Sequence, residues 1–413
     1  MSTIAPLVDA PSTTVTPDPR GSRPLRFLFA KNQLVYPRSR GHDIRAFNMM
    51  RQLAALGHSV GLATFTRASD SALNGLRLDY RTALRERAAS TSVIAPLTRT
   101  QARLASYFGA SLDDLRALAD ATREMRADVL IGLGPDILPF MAGTSGVRRV
   151  WYAADEWVSH YCSLVKMTQP RTWGQLGTAA IWGVYERAFV PGLDRVWVVS
   201  DPEEHAMRRW AGARHVDVLP NGVDADYFAP QTAVERERSA VFWGRLDWSP
   251  NLQALEWFCV NVWPLVRQRF PDAAFRIIGF GAGTEARALA QLPGVSLSPD
   301  LDDLRATVAE YAVVVMPFHS GGGIKNKLLE AAAMAKPLVC TPTACHGLRG
   351  DPPVVLASSP LEWVEALGAL WSDADARHTR GGDARAWVIR EHSWRRTATD
   401  ALTSLRGSLQ PTD

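Results

Sequence analysis

The segment FHSGGGIKNKLLEAAAMAKPLV, Phe318 to Val339, gathers residues that can hold an anion. Three glycines stand in a row, two lysines follow, and a run of helix formers comes next. The chain has five lysines among its 46 basic residues, and three of them, Lys325, Lys327 and Lys336, fall here. Glycine lets a backbone approach a ligand closely. A helix N-terminus offers unpaired N–H groups and the positive end of its dipole. A lysine adds a point charge suited to phosphate. Glu330 lies far enough into the helix to accept from neutral hydroxyls beside the phosphates, such as those of a ribose. The combination reads as a nucleoside diphosphate site. Without a ligand, the same residues read as a tight packing turn followed by solvated lysines. The segment is not a Walker loop, since GxxxxGK[ST] is absent, and no dinucleotide fingerprint follows the first strand.

The bulk composition frames that site. A chain of 413 residues, 46% hydrophobic and 21% charged, fits about two soluble globular domains. The net charge of +4 is carried by scattered arginines rather than a basic stripe, which argues against nucleic acid. A weak attraction to anionic membrane surfaces stays open. The cysteines Cys162, Cys259, Cys340 and Cys345 are too few for a disulfide scaffold and fit reduced thiols. CTPTACH brings Cys340, Cys345 and His346 close in sequence, but no second ligand pair stands nearby. No run of about 18 apolar residues is present to span a membrane. Residues 1–24, rich in Pro, Ser and Thr, show no apolar signal core and are expected to be a disordered tail.

Alternating strand and helix patterns position the site. LRFLFA, a polar loop, IRAFNMMRQLAALG and SVGLATF make a strand–loop–helix–strand unit, hence a parallel sheet. ADVLIGLG, RRVWYAADEW and DRVWVVS add strands. The polar stretch QTAVERERS is taken as the boundary, giving a first domain over 25–230 and a second over 231–385. In the second, strands AVFWG, AFRIIGFG, VSLS, AVVVMPF and PLVCT alternate with helices. Residues 386–413 read as a helical tail packing back toward the first domain. Two α/β domains with parallel sheets are expected to face a central cleft, with ligands at the carboxyl ends of strands.

With PNGVDADYF, WGRLDWSPN, RIIGFG and GGGIKNKLLEAAAMAKPLVCTP in view, the chain resembles the retaining glycosyltransferases of family 4, with the two-Rossmann GT-B fold. The likeness runs over nearly the whole chain after the N-terminal tail. It implies a nucleotide diphosphate sugar donor, UDP- or GDP-linked, and an acceptor hydroxyl. The family's diphosphate-gripping arginine falls on Arg245, and Lys325 is implied beside it as a catalytic charge. Gly41 falls in the first loop, and Gly321, Gly322, Gly323, Ile324, Lys327 and Glu330 in the donor loop and helix.

Three departures accompany the likeness. The family usually has a lysine a few residues after the arginine, where this chain offers Pro250 and Asn251, so Lys325 or Lys327 is expected to replace it. The first of the family's two glutamates falls on Gly322. The histidine after the strand matching DVLIGLG is missing, leaving Asp136 and the pair Asp155–Glu156 as candidates to orient or deprotonate an acceptor. That pair reads equally as an N-cap of the next helix. Asp224 and Asp226 form a D-x-D pair, but their turn context suits backbone capping, and no metal or other cofactor is expected.

The implied activity is sugar transfer with retention, in cell-surface polysaccharide or glycolipid synthesis. The expected setting is cytoplasmic, with peripheral contact at the inner face of the membrane. Glycosylation of a small natural product and a non-catalytic nucleotide-binding adaptor are the alternatives.

Overall fold

The computed structural model describes residues 23–36, 41–87, 91–153, 157–163, 165, 170–299, 301, 303–320 and 323–406. The expected tail 1–24 lies almost wholly outside them. So do Asp155, Glu156, Gly321 and Gly322.

Two compact units form. The first holds residues 1–198 and 202–218; the second holds 199–201 and 219–413. The division therefore comes before PNG and not at QTAVERERS. The reason is local: Arg236, Glu237 and Arg238 in that polar stretch are the exposed start of a strand, with Arg236 paired to Glu310 and Arg238 to Asp272.

The first unit is a parallel sheet of β1 (Arg26–Lys31), β2 (Ser59–Thr64), β3 (Tyr80–Ala83), β4 (Val129–Leu133), β5 (Arg148–Tyr152), β6 (Arg195–Val198) and β7 (Val216–Val218). Its strand order is β3-β2-β1-β4-β5-β6-β7. Strands β1 and β4 are almost wholly apolar and buried, as strands covered on both faces must be.

The second unit is a parallel sheet of β8 (Arg236–Trp243), β9 (Ala274–Gly279), β10 (Val295–Pro299), β11 (Tyr311–Met316), β12 (Leu338–Cys340) and β13 (Val355–Leu356). Its order is β10-β9-β8-β11-β12-β13. Each order reverses direction beside the unit's first strand, between β1 and β4 and between β8 and β11. That is the switch point of a doubly wound sheet, where two loops part and leave a crevice.

The C-terminal residues fold as helices Ala374–Glu391 and Trp394–Arg406, both within the second unit. The side chain of His392 bridges the Asn221 carbonyl at 3.0 Å and the Arg349 amide at 2.9 Å, and Thr397 donates to the Pro220 carbonyl at 3.0 Å. The tail is thus tied to the PNG turn of its own unit.

Candidate functional site

In the second unit, the loops after β8 and β11 carry the residues singled out from sequence. Strand β8 ends on Trp243, and Gly244 and Arg245 follow. Strand β11 ends on Met316, Pro317 and Phe318 lead on toward the glycine loop, and the helix Asn326–Ala333 follows. Lys325 occupies the N-cap position of that helix without capping it by a side-chain hydrogen bond. The helix therefore starts with N–H groups that no N-cap side chain satisfies.

The two lysines are bonded to neutral oxygens. Lys325 Nζ donates to the Gly323 carbonyl at 3.3 Å, and Lys327 Nζ donates to Asn251 Oδ1 at 2.7 Å. Lys327 lies 5.0 Å from the ring centres of both Phe242 and Phe318, and Lys325 lies 5.5 Å from that of Phe318. Aromatic faces offset part of the cost of removing an ammonium from water. Burial still dominates: it pushes Lys325 down to about 8 and Lys327 down to about 7. Glu330 partly restores the Lys327 charge and Lys325 opposes it. A dianionic ligand at this place would relieve both lysines.

Asn251 joins this corner to the arginine. Its Nδ2 donates to the Arg245 carbonyl at 2.6 Å, while its Oδ1 accepts from Lys327. Lys327 thus reaches the turn where the resemblance wants a lysine after the arginine. Gly244 makes the approach feasible. Its φ is +151°, and a Cβ there would stand 2.7 Å from Lys327 Nζ and 3.0 Å from Asn251 Nδ2. A side chain at this position would displace the ammonium.

Arg245 follows the end of β8, and its guanidinium is engaged by a neighbour. Its guanidinium is bidentate on Asp247, 2.6 Å from Oδ2 and 3.0 Å from Oδ1, and both side chains are exposed. The hydrogen bond to Asp247 holds the guanidinium firmly charged. To grip a phosphate it must exchange or share that carboxylate.

Glu330 lies across from these groups. Its Oε2 accepts from Trp243 Nε1 at 2.8 Å, and burial pushes its carboxyl up despite that bond and the nearby Lys327. Trp243 was not singled out from sequence. The bond joins residues 87 apart, so no local signal reveals it.

The first unit has its own charged corner at the β1 end. Lys31 Nζ lies 3.3 Å from Asp43 Oδ1, with both side chains largely buried. Arg45, also buried, donates to the Ala153 carbonyl at 3.1 Å and stands 4.9 Å from the Tyr152 ring centre. Arg45 was missed because its partner Ala153 lies 108 positions away. Gly41 is the first residue of the helix Gly41–Ala55 that carries Asp43 and Arg45. Asp136 is exposed just past β4.

Asp224 accepts from the Tyr227 amide at 3.2 Å, a backbone-capping contact within its turn. Among the described residues, no group of three or more His, Cys, Asp or Glu is arranged to hold a metal ion. Cys340 is a buried free thiol and Cys345 a half-buried one.

Comparison with known proteins completes the picture. Residues 40–227 match the model of Glycosyltransferase Family 4, and residues 237–373 match that of Glycosyl transferases group 1. A GDP-mannose-dependent alpha-(1-6)-phosphatidylinositol monomannoside mannosyltransferase of Mycobacterium tuberculosis is 28% identical over 247 residues. That alignment covers 52% of this chain and 62% of the relative, less than two thirds of its length. Among solved structures, sucrose-phosphate synthase from Thermosynechococcus elongatus superposes with a TM-score of 0.65 at 16% identity, covering 92% of this chain and 98% of that one. Anabaena HepE, solved with UDP and glucose, superposes with a TM-score of 0.62 at 13% identity, covering 92% and 99%. Both show the fold alone. The two matched regions leave little of the chain between β1 and the C-terminal helices unaccounted for, and the chain belongs to the family 4 glycosyltransferases with the GT-B fold.

Proposed function

We propose that the protein transfers a sugar from a nucleotide diphosphate sugar to an acceptor hydroxyl, keeping the anomeric configuration. The observation that carries this reading is the pair Lys325 and Lys327, gathered at a helix N-terminus without a side-chain cap, at the second sheet's switch point.

The bond from the anomeric carbon to the phosphate oxygen breaks, and its electron pair leaves with the diphosphate. Lys325, Lys327 and the helix N-terminus neutralise that charge as it develops. Arg245 joins once it turns from Asp247. The acceptor hydroxyl forms the new bond on the face the leaving group vacates and passes its proton to a phosphate oxygen. Glu330 receives the ribose hydroxyls beside Trp243. The charge is neutralised without a metal ion, so no divalent ion or other cofactor is required.

The donor class is a UDP- or GDP-sugar. The acceptor class is a cell-surface polysaccharide or glycolipid, the latter in keeping with the phosphatidylinositol mannoside named for the mycobacterial relative. Such work places the protein in the cytoplasm, at the inner face of the membrane.

A thermal-shift panel of UDP-, GDP-, ADP- and dTDP-sugars identifies the donor, because a ligand binding only the folded state raises its melting point. Release of nucleoside diphosphate from that donor, faster with a hydroxyl acceptor, supports transfer. Binding of donor with no turnover under any acceptor would instead make the protein a nucleotide-binding adaptor.

A further inference from the structure

The first unit carries an apolar face that its own core does not use. On the helix Gly174–Phe189, Ala179, Tyr185 and Phe189 are buried, and Trp182 stacks on Trp157 at 5.3 Å. The other side is open to solvent. Trp173, Leu176, Ile181 and Val184 recur at helical spacing and are 48%, 52%, 48% and 56% exposed. No charged residue occurs between Trp173 and Glu186. A groove of about 360 Å³ lies beside this face, between Leu176, Ala180 and Val184 on one side and Val158, Cys162 and Trp210 on the other. Soluble surfaces seldom leave such a continuous apolar stripe without a use.

The border of the face is basic. Arg187 closes its C-terminal end and donates to the Arg209 carbonyl at 2.9 Å. The Arg209 guanidinium stands 5.0 Å from the ring centre of Trp210, which is itself exposed. Arg171 is exposed two residues before Trp173.

We propose that this face seats the protein on an anionic lipid bilayer. Leucine, isoleucine and valine would enter the acyl boundary, and Trp173 and Trp210 would lie at headgroup depth, where tryptophan is favoured. The arginines would rest their stems on the apolar layer and turn their guanidinium groups to the phosphates. Charge decides against a second copy of the chain as occupant. Two such faces meeting symmetrically would bring Arg171, Arg187 and Arg209 against their own kind, whereas an anionic headgroup layer complements all of them. No helix among the described residues is long and apolar enough to cross a membrane, so this is attachment at the surface. The inference deepens the membrane contact proposed above and is independent of the donor chemistry.

The test is sedimentation of the full chain with vesicles of phosphatidylcholine alone or mixed with phosphatidylglycerol. The wild type binds the mixed vesicles more tightly, and added salt weakens that binding. Ile181→Asp and Val184→Asp each weaken it roughly ten- to hundredfold, the scale of one buried aliphatic side chain. Arg171→Glu with Arg209→Glu abolishes the preference for phosphatidylglycerol. Calorimetry with UDP and GDP on each variant reports the donor site and the fold separately, and these remain at wild-type values. Equal wild-type binding to both vesicle types overturns the proposal, as does full vesicle binding by Ile181→Asp. A wild-type dimer without lipid that Ile181→Asp dissolves, with no vesicle binding, assigns the face to a second copy and overturns it too.

Discussion

The two sheets reverse at equivalent places, yet their switch points are charged in opposite styles. At the β1 end, Lys31 is paired with Asp43, and both side chains lie largely out of water. At the β8–β11 corner, Lys325 and Lys327 donate to a backbone carbonyl and an asparagine. The first corner balances its ammonium with a carboxylate of its own helix. The second collects positive charge at a helix start, and Glu330, which acts on Lys327, is engaged by Trp243 and pushed toward its neutral form by burial. One fold can therefore use a crevice to hold itself together or keep it ready for an anion. What differs is the partner: a carboxylate for Lys31, an amide oxygen for Lys327.

The largest effect should come from breaking the balanced corner. Lys31→Ala leaves Asp43 buried without its ion partner, which costs about 3–5 kcal/mol of stability. Chemical denaturation should show that loss, while calorimetry below the transition should find UDP or GDP bound as by the wild type. Weakened nucleotide binding at unchanged stability would mean that the first corner, too, serves the donor.

The second corner should respond the other way. Lys325→Ala and Lys327→Ala should each weaken nucleoside diphosphate binding by roughly 1–3 kcal/mol, the scale of a charge-assisted contact. Stability should hold or rise, because each variant removes an ammonium that burial disfavours. Calorimetry with UDP and GDP measures both variants. Wild-type affinity in both would place the diphosphate elsewhere.

The contrast was only half legible in the sequence. Periodicity outlined most strands, because buried parallel strands read as continuous apolar runs. The start of β8 was hidden: Arg236, Glu237 and Arg238 look like a linker, although they extend the strand beyond the buried part of the sheet. Glycines, lysines and a helix start within one short segment pointed to an anion without any tertiary information. The partners did not show. Asn251 meets Lys327 across 76 positions, and Asp128 meets Arg26 across 102. Asp247 sits only two residues from Arg245, yet side-chain direction, not spacing, makes them bidentate.

Protonation offers a finer test. Lys327 titrates near 7 and Lys325 near 8 in the free protein, below the ordinary 10.5. Between those values and 10.5 the unfolded chain binds more protons than the folded one. Stability of the free protein should therefore rise as pH climbs from about 7, with the gain complete above the unfolded value. Nucleotide binding should run the opposite way. A diphosphate favours charged lysines, so affinity is full below about pH 7, falls as pH rises through 7 to 8, and binding takes up protons there. Calorimetry in two buffers of different ionisation heat should reveal that uptake, reduced in Lys327→Met. Identical heats in both buffers would separate the lysines from the ligand.

Glu330 gives a smaller difference. Glutamine in its place keeps an acceptor for Trp243 and a hydrogen-bonding end for a ribose, whereas alanine keeps neither. Glu330→Gln should therefore weaken nucleotide binding by less than Glu330→Ala, which should lose about 1 kcal/mol. Deoxyribose nucleotides should bind the wild type less well. Equal affinity for ribose and deoxyribose forms would remove the ribose role and leave Glu330 as a partner of Trp243 alone.

The smallest effect concerns Arg245 and Asp247. Exposed ion pairs contribute little to stability, because water already serves both groups. Asp247→Asn should leave the melting point nearly unchanged. It also removes the carboxylate that competes with a phosphate for the guanidinium. If Arg245 takes part in binding, diphosphate affinity should rise, but only slightly, because the pair it frees is exposed. Arg245→Ala should lose less than Lys327→Ala, since the arginine gives up Asp247 on binding while Lys327 gives up only a neutral amide oxygen. Titrating UDP and GDP into the four proteins (wild type, Asp247→Asn, Arg245→Ala and the double variant) forms a closed cycle. A gain from Asp247→Asn that persists without Arg245 would show that the aspartate repels the ligand directly. A gain that vanishes would show that it acts by occupying the arginine.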